Sequence, residues 1–234
     1  MDVGPMKPLA IDLFCGLGGW TDGLLAEGYD VIGFDIERHQ YGDHRYPAQL
    51  VIQDVLTLQG SQFKDTALIV ASPPCQAYSY RAMPWKRAKA LPPPDNTLFE
   101  ACFRIQREAC EAAGRHIPLI VENVRGAQKW VGRARWSYGS FYLWGDVPAL
   151  MPRRDSTGKV MHGMKRWTNP DEGFKHRDLD GYERDHPHPF GWKAPRTSSG
   201  DHKARKFASA MIAKIPLPLS RHIAKTFASN RGLS

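Results

Sequence analysis

Short apolar runs of strand length alternate with helical patterns over the first 145 residues. "PLAIDLF" (8–14) reads as a buried strand. "CGLGGW" follows, and then "TDGLLAEG" has the spacing of a short amphipathic helix that Gly28 can end. "YDVIGFD" (29–35) and "LVIQDV" (50–55) read as a second and a third strand, each ending in an acid. "TALIVAS" (66–72) is a fourth and "IPLIVENV" (117–124) a fifth. Residues 97–113, "TLFEACFRIQREACEAA", keep helical periodicity. This order predicts an α/β fold with a parallel sheet covered on both faces. "SYGSFYLWG" (137–145) alternates with aromatics and suits one late, antiparallel strand. From 151 to 202 the pattern dissolves into Pro, Gly, His and mixed charge, which reads as an irregular insertion. "HKARKFASAMIAKI" and "LPLSRHIAKTFAS" then predict two helices interrupted by Pro216 and Pro218.

The division that follows is a core over 1–150, a small region over 151–202, and C-terminal helices over 203–234 that pack back on the core. A length of 234 residues suits one such domain with an appendage. No apolar run approaches a membrane span. The N-terminal "MDVGPMKPLAID" lacks the basic and apolar regions of a secretory signal, so the expected compartment is the cytoplasm. The four cysteines (Cys15, Cys75, Cys102, Cys110) form no CxxC pair, and no His/Cys cluster has zinc spacing, so reduced thiols and no metal are expected. Cys102 and Cys110 fall on the helical stretch and read as buried small residues.

Charge changes the picture of the C-terminal third. The net charge is +8, yet residues 1–150 carry 15 Lys/Arg against 16 Asp/Glu. Residues 151–205 carry 12 against 8, and residues 206–234 carry 5 against none. A basic segment added to a near-neutral core is the footprint of a polyanion partner, although a solvated basic surface gives the same count.

Ligands of open α/β sheets sit at the carboxyl ends of the strands, so the residues delivered there are the candidates. The first strand delivers Phe14 and a turn in which Gly16, Gly18 and Gly19 let the backbone approach a ligand. The second delivers Asp35, an acceptor suited to a ribose diol. The third delivers Asp54, suited to the exocyclic amine of adenine. Singly, each acid is equally a turn or helix cap. As an ordered set they describe a pocket for an adenosine-containing cofactor. The fourth and fifth strands deliver "SPPCQ" and "VENV", a thiol and a carboxylate on one sheet edge. A thiolate is a strong nucleophile, and a glutamate in a partly apolar pocket holds a proton near neutral pH. Together they suit an aromatic ring carbon too weak to attack a methyl group unaided: thiolate addition, with protonation of a ring nitrogen, makes the neighbouring carbon enamine-like.

"DLFCGLGG", "SPPCQAYS" and "VENV", in this order, resemble signature motifs of the DNA cytosine-5 methyltransferases. The resemblance covers roughly residues 9–145, in the manner of compact phage or stand-alone prokaryotic members. It implies a Rossmann-like S-adenosylmethionine-dependent methyltransferase sheet with a small target-recognition insertion. It also implies S-adenosylhomocysteine as product and methyl transfer to C5 of a flipped cytosine in DNA, through an adduct at C6. By the resemblance, Phe14 packs on adenine, and Gly16, Leu17, Gly18 and Gly19 line the methionine portion. Asp35 takes the ribose with Ile36 beside the adenine, Asp54 and Val55 bind the adenine edge, and Pro74 and Leu98 contact the cofactor. Cys75 is the nucleophile, Glu122 engages N3, Asn123 holds the active-site loop, and Arg135, with Arg133, in "GRARW" contacts the target base. The loop after the cysteine, "QAYSYRAMPWKRAKALPPPD", would bring Arg81, Lys86, Arg87 and Lys89 to DNA and help extrude the base.

The chain departs from the family pattern in two places. The target-recognition region shrinks to about 151–202, where Arg153, Arg154, Lys165, Arg166, Arg177, Arg184, Arg196, Lys203 and Arg205 can meet phosphates or guanines, and Trp167 and Trp192 read as a mini-core. Near the C-terminus "IAKIP" stands where the family has Gly-Asn-Ser/Ala-Val-Pro. Ala213 replaces the asparagine beside Lys214, which leaves open a carboxylated analogue of the cofactor. Duplex DNA, a monomer, no membrane, and a role in restriction-modification, protection or regulation complete the expectation. The rivals are an RNA (tRNA) cytosine-5 methyltransferase and a catalytically inactive DNA-binding homologue.

Overall fold

The computed structural model describes residues 6–79, 92–151 and 202–229. The described elements are β1 (Leu9–Leu13), α1 (Gly19–Ala26), β2 (Asp30–Asp35), β3 (Gln40–Tyr41), β4 (His44–Arg45), β5 (Gln49–Ile52), β6 (Leu68–Ala71), α2 (Thr97–Ala113), β7 (Leu119–Asn123), α3 (Gln128–Val131), β8 (Trp136–Tyr138), β9 (Phe141–Gly145), α4 (His202–Ala213) and α5 (Leu217–Ser229). By compactness the chain divides into Met1–Pro152 with Ile215–Ser234, and Arg153–Lys214. Among the described residues the second unit contributes α4.

In the first unit seven strands form one sheet in the order β5-β2-β1-β6-β7-β9-β8, and β3 and β4 form a separate hairpin. β5, β2, β1, β6 and β7 run parallel, and β9 is antiparallel to both its neighbours. The strand order reverses between β1 and β6, so ligand chemistry is expected at the carboxyl ends there. β6 and β7 are buried along their whole length, which is why "LIVA" and "LIVEN" read as apolar runs. β5, at the edge, is half-exposed.

The two faces of the sheet separate by residue parity. Ile11, Leu13, Ile69, Ala71, Leu119 and Val121 join Phe99, Cys102, Ile105 and Ala109 of α2 in one core. The opposite face carries Asp12, Val70 and Ile120 in one row, under α1 and α5. α1 and α5 meet closely because Gly19 and Gly23 have no side chain. A Cβ on Gly19 would collide with the Ile215 backbone, and one on Gly23 with Ser220 and Arg221. Tyr29 donates to the Ala224 carbonyl at 3.0 Å and Arg221 pairs with Glu27 at 2.7 Å, which fixes α5 further.

Two sequence expectations need correction. The third strand stops at Ile52 rather than 55, because Asp54 accepts a hydrogen bond from the Leu56 amide at 2.9 Å and starts a 3-10 turn. "SYGSFYLWG" makes two strands, not one: Gly139, at φ 59°, turns the chain between β8 and β9. The pause between the C-terminal helices is as expected. Pro218 lies in the first turn of α5, where no amide donor is needed. Among the described residues, no helix is long and apolar enough to cross a membrane and no His/Cys/Asp/Glu group could hold a metal ion.

Candidate active site

The turn after β1 is shaped by backbone that most residues avoid. Phe14 has φ 57°, and among the described residues it is the one non-glycine residue with positive φ. Outliers of this kind gather at ligand clamps. Gly16 and Gly18 follow at 51° and 75°. The Gly16 amide donates to Asp35 Oδ2 at 2.9 Å and the Cys15 amide to the Phe34 carbonyl at 3.1 Å, which ties the turn to the end of β2. No atom lies within 4 Å of the place a Gly16 side chain would begin. Beside Asp35, Ile36 is 72% exposed. Open space at a glycine, a half-buried Phe14 and an exposed apolar side chain next to a carboxylate fit an adenosine-bearing ligand.

The other candidates for this ligand divide. Leu17 and Val55 are buried side chains packed into the protein. Asp54 keeps one oxygen on its cap, the plainer of its two sequence readings. Leu98 is half-buried on the first turn of α2. That turn is tied to the cysteine turn, since buried Tyr78 donates to Asn96 Oδ1 at 2.9 Å. Burial pushes the Asp35 carboxyl up. Hydrogen bonds from His39, Gly16 and Glu37 outweigh it and hold the group below the usual carboxylate range.

Cys75 and Glu122 come from the ends of adjacent parallel strands. Residues 72–74 carry β6 into the cysteine, and Asn123 fixes that segment: its Nδ2 donates to the Pro73 carbonyl at 2.9 Å, while its Oδ1 accepts from the Val124 amide at 2.8 Å. Pro73 is buried and Pro74 exposed. The Cys75 carbonyl accepts from the Tyr78 amide at 2.9 Å and from Ser79 Oγ at 3.0 Å, closing a tight turn that leaves the thiol half-buried. Burial pushes the thiol up; a Ser79 hydrogen bond lowers it and the nearby Glu122 charge raises it again. Glu122 is 9% exposed, and burial lifts its carboxyl to about 8 against an opposing hydrogen bond from Ser72. At neutral pH this acid carries a proton that it can donate.

The Arg135 amide donates to the Leu143 carbonyl at 2.9 Å, and Leu143 pairs with Glu122 across β7 and β9. Leu143 also pairs with Trp136, so Arg135 stands one residue before the row of Glu122, with its side chain exposed, as is that of Arg133. Arg81, Lys86, Arg87 and Lys89 lie outside the described residues, as do the basic residues between 152 and 201, Trp167 and Trp192. Ala213 ends α4 and Lys214 follows it in the second unit; nothing in the structure or the comparisons supports a carboxylated methyl donor. Sequence reasoning missed Trp20, Ser72 and Asn96, and it read Tyr78 as part of the aromatic loop after the cysteine, whereas the structure buries it. Each stands inside or beside a quoted motif, but their pairings span 18 to 52 residues and have no local signal.

Among solved structures, the chain is similar to a protein assigned as a DNA modification methyltransferase encoded within an E. coli prophage (24% identity, TM-score 0.37, covering 53% of this chain and 34% of that one). It is similar also to the S. pombe Dnmt2 methyltransferase (17%, 0.36, 53% and 36%) and to the Entamoeba histolytica methyltransferase EhMeth (17%, 0.37, 53% and 40%). The match spans between about a third and two fifths of the length of these proteins. No curated protein matches the chain. The model of the C-5 cytosine-specific DNA methylases matches residues 9–130, just over half of the sequence, and these residues include the glycine turn, Cys75 and Glu122; the chain belongs to the C-5 cytosine-specific DNA methylase family.

Proposed function

We propose that this protein methylates C5 of a cytosine in DNA, with Cys75 as nucleophile and Glu122 as the acid at N3. The observation that supports this most is the placement of a half-buried thiol and a buried, protonated carboxyl at the ends of neighbouring strands, with Asn123 fixing the segment between them. Asp35, Ile36 and Asp54, with the glycine turn, would hold S-adenosylmethionine, which would supply an electrophilic methyl group. The Cys75 sulfur, as thiolate, forms a bond to C6 of the base. Glu122 gives its proton to N3, so that electron density collects at C5 rather than at nitrogen. C5 would then take the methyl group, with S-adenosylhomocysteine as the product of the donor. A water molecule takes the C5 proton, the C5–C6 double bond re-forms as the C6–S bond breaks and releases the thiolate, and N3 returns its proton to the Glu122 carboxylate. A cytosine stacked in a duplex is out of reach of Cys75, so the base must be flipped. Arg135, Arg133 and the basic loop residues Arg81, Lys86, Arg87 and Lys89 are the proposed nucleic-acid contacts.

The test uses random-sequence duplexes carrying 5-fluorocytosine, with methyl-labelled S-adenosylmethionine. Fluorine at C5 cannot leave as a proton, so the wild-type chain is expected to stay covalently attached on a denaturing gel. The Cys75→Ser variant is expected to give no band. A labelled complex in that variant sinks the mechanism. A complex formed with the matching RNA pool but not with DNA replaces the substrate by RNA.

A further inference from the structure

Glu122 is not held by its own strand alone. β6 and β7 pair in the register Val70↔Ile120 and Ala71↔Val121. The next residue pair in that register is Ser72 and Glu122, on the sheet face that carries Asp12 and lies under α1. That register sets Ser72 beside Glu122 on the same face, and hydrogen bonding from Ser72 opposes the upward push that burial gives the Glu122 carboxyl. On its other side, Trp20 Nε1 donates to Ser72 Oγ at 3.0 Å. Trp20 is 2% exposed, in the first turn of α1, directly after the glycine turn.

The donor inventory gives this chain a direction. An indole N–H only donates, and a hydroxyl has one proton and two lone pairs. With a lone pair of Ser72 occupied by Trp20, its single proton goes to Glu122. We infer that Ser72 is a positioning residue for Glu122 and that Trp20 orients it. Ser72 holds one carboxyl oxygen, which turns the other, proton-bearing oxygen toward the base. The inference rests on the acid role given to Glu122 above. It adds that α1, which begins at the proposed cofactor turn, is hydrogen-bonded through Trp20 to the group that protonates the base. The titratable group facing Glu122 is Cys75, from the turn after β6; β9 places the apolar Leu143 opposite it.

A donor to the carboxylate favours the charged form, so loss of Ser72 raises the pH at which Glu122 titrates. Four full-length variants are compared with wild type: E122Q, S72A, S72T and W20F. Two readouts are used: carboxyl NMR of 13C-glutamate-labelled protein, with Glu122 assigned by its absence in E122Q, and methyl transfer from labelled S-adenosylmethionine to random-sequence duplex DNA. In S72A the Glu122 titration and the pH optimum of transfer are expected to move up together, with kcat reduced about tenfold and both KM values within about twofold. W20F is expected to move both in the same direction by less, and S72T, which keeps the hydroxyl, to regain most of the loss. If the Glu122 titration is unchanged in S72A, or S72T behaves like S72A, the positioning role is wrong. If S72A does not fold, an unchanged titration in W20F overturns the orienting role of Trp20. Wild-type activity in E122Q overturns the acid assignment instead, and leaves the titration result to be read by itself.

Discussion

Two carboxylates stand at strand ends three strands apart and are held in opposite states. Asp35 ends β2 at the edge of open space, and main-chain amides point at it. Glu122 lies within β7, against apolar neighbours, with one hydroxyl for company. Hydrogen bonds to the charged form win at Asp35, and desolvation wins at Glu122. The cofactor side of the sheet thus presents a fixed negative charge, suited to accepting from a ribose. The other side presents a proton, suited to a ring nitrogen. Neighbourhood, not residue type, sets the difference.

The strongest way to break this comparison is to neutralise each acid in turn. E122Q is expected to lower kcat about a thousandfold while leaving the Kd for S-adenosylmethionine within about twofold. D35A is expected to do the reverse, weakening cofactor binding at least about tenfold with kcat at saturation largely kept. Calorimetric titration and single-turnover transfer separate the two; matching effects from both variants would mean that the sides are not distinct.

Glycines sharpen the comparison at a second level. Gly23→Ala is expected to cost about 2 kcal/mol in urea denaturation, because its Cβ meets the Ser220 and Arg221 backbone. Gly16→Ala meets no atom, but φ 51° strains it and the methyl group intrudes on the proposed ligand space. It is expected to weaken cofactor binding more than it lowers stability.

Stability against pH offers a smaller, graded test. The folded Glu122 carboxyl titrates at about 8 and its ordinary value is 4.5. Asp12, buried beside Thr21, is likewise lifted from 3.8 to about 8 by burial. Both groups bind protons more tightly when folded, so their contribution is full below the ordinary carboxylate range. It is lost as pH rises through about 8. The Tm is expected to fall between pH 5 and 8.5, and D12N and E122Q to flatten the slope. Asp35 has the opposite sign: its stabilisation is present above its ordinary value, 3.8, and disappears as pH falls through its lowered one, so D35N is expected to flatten the acid side only. The smallest effect is expected from I36A, about a threefold loss of cofactor affinity and no change in Tm, because Ile36 is exposed.

Much of this was legible before the fold. The five apolar runs became the five parallel strands: β6 and β7 are apolar throughout because they are buried along their length, while β5, at the edge, is half-exposed. The helix over 97–113 appears with those bounds, because its periodicity is long and Gly114, at φ 64°, can end it. Cys75 and Glu122 were visible because the thiol follows one readable strand by a short proline turn and the acid lies near the end of the next. Asp54 misled as a strand end because a short acid that accepts from the amide two residues on caps the turn that follows it.

The order of motifs along the chain therefore determined the sheet, the family and the pair of side chains proposed to react, all consequences of local pattern and spacing. Only the tertiary structure decided the condition of those groups. That Gly16 donates to Asp35, that Gly19 and Gly23 serve packing with residues 215–221, and that Trp20 reaches Ser72 depend on neighbours 19 to about 200 positions away, while burial sets the state of Glu122. Charge state and packing are set by burial and by which dipoles converge on a group, and a linear pattern specifies neither.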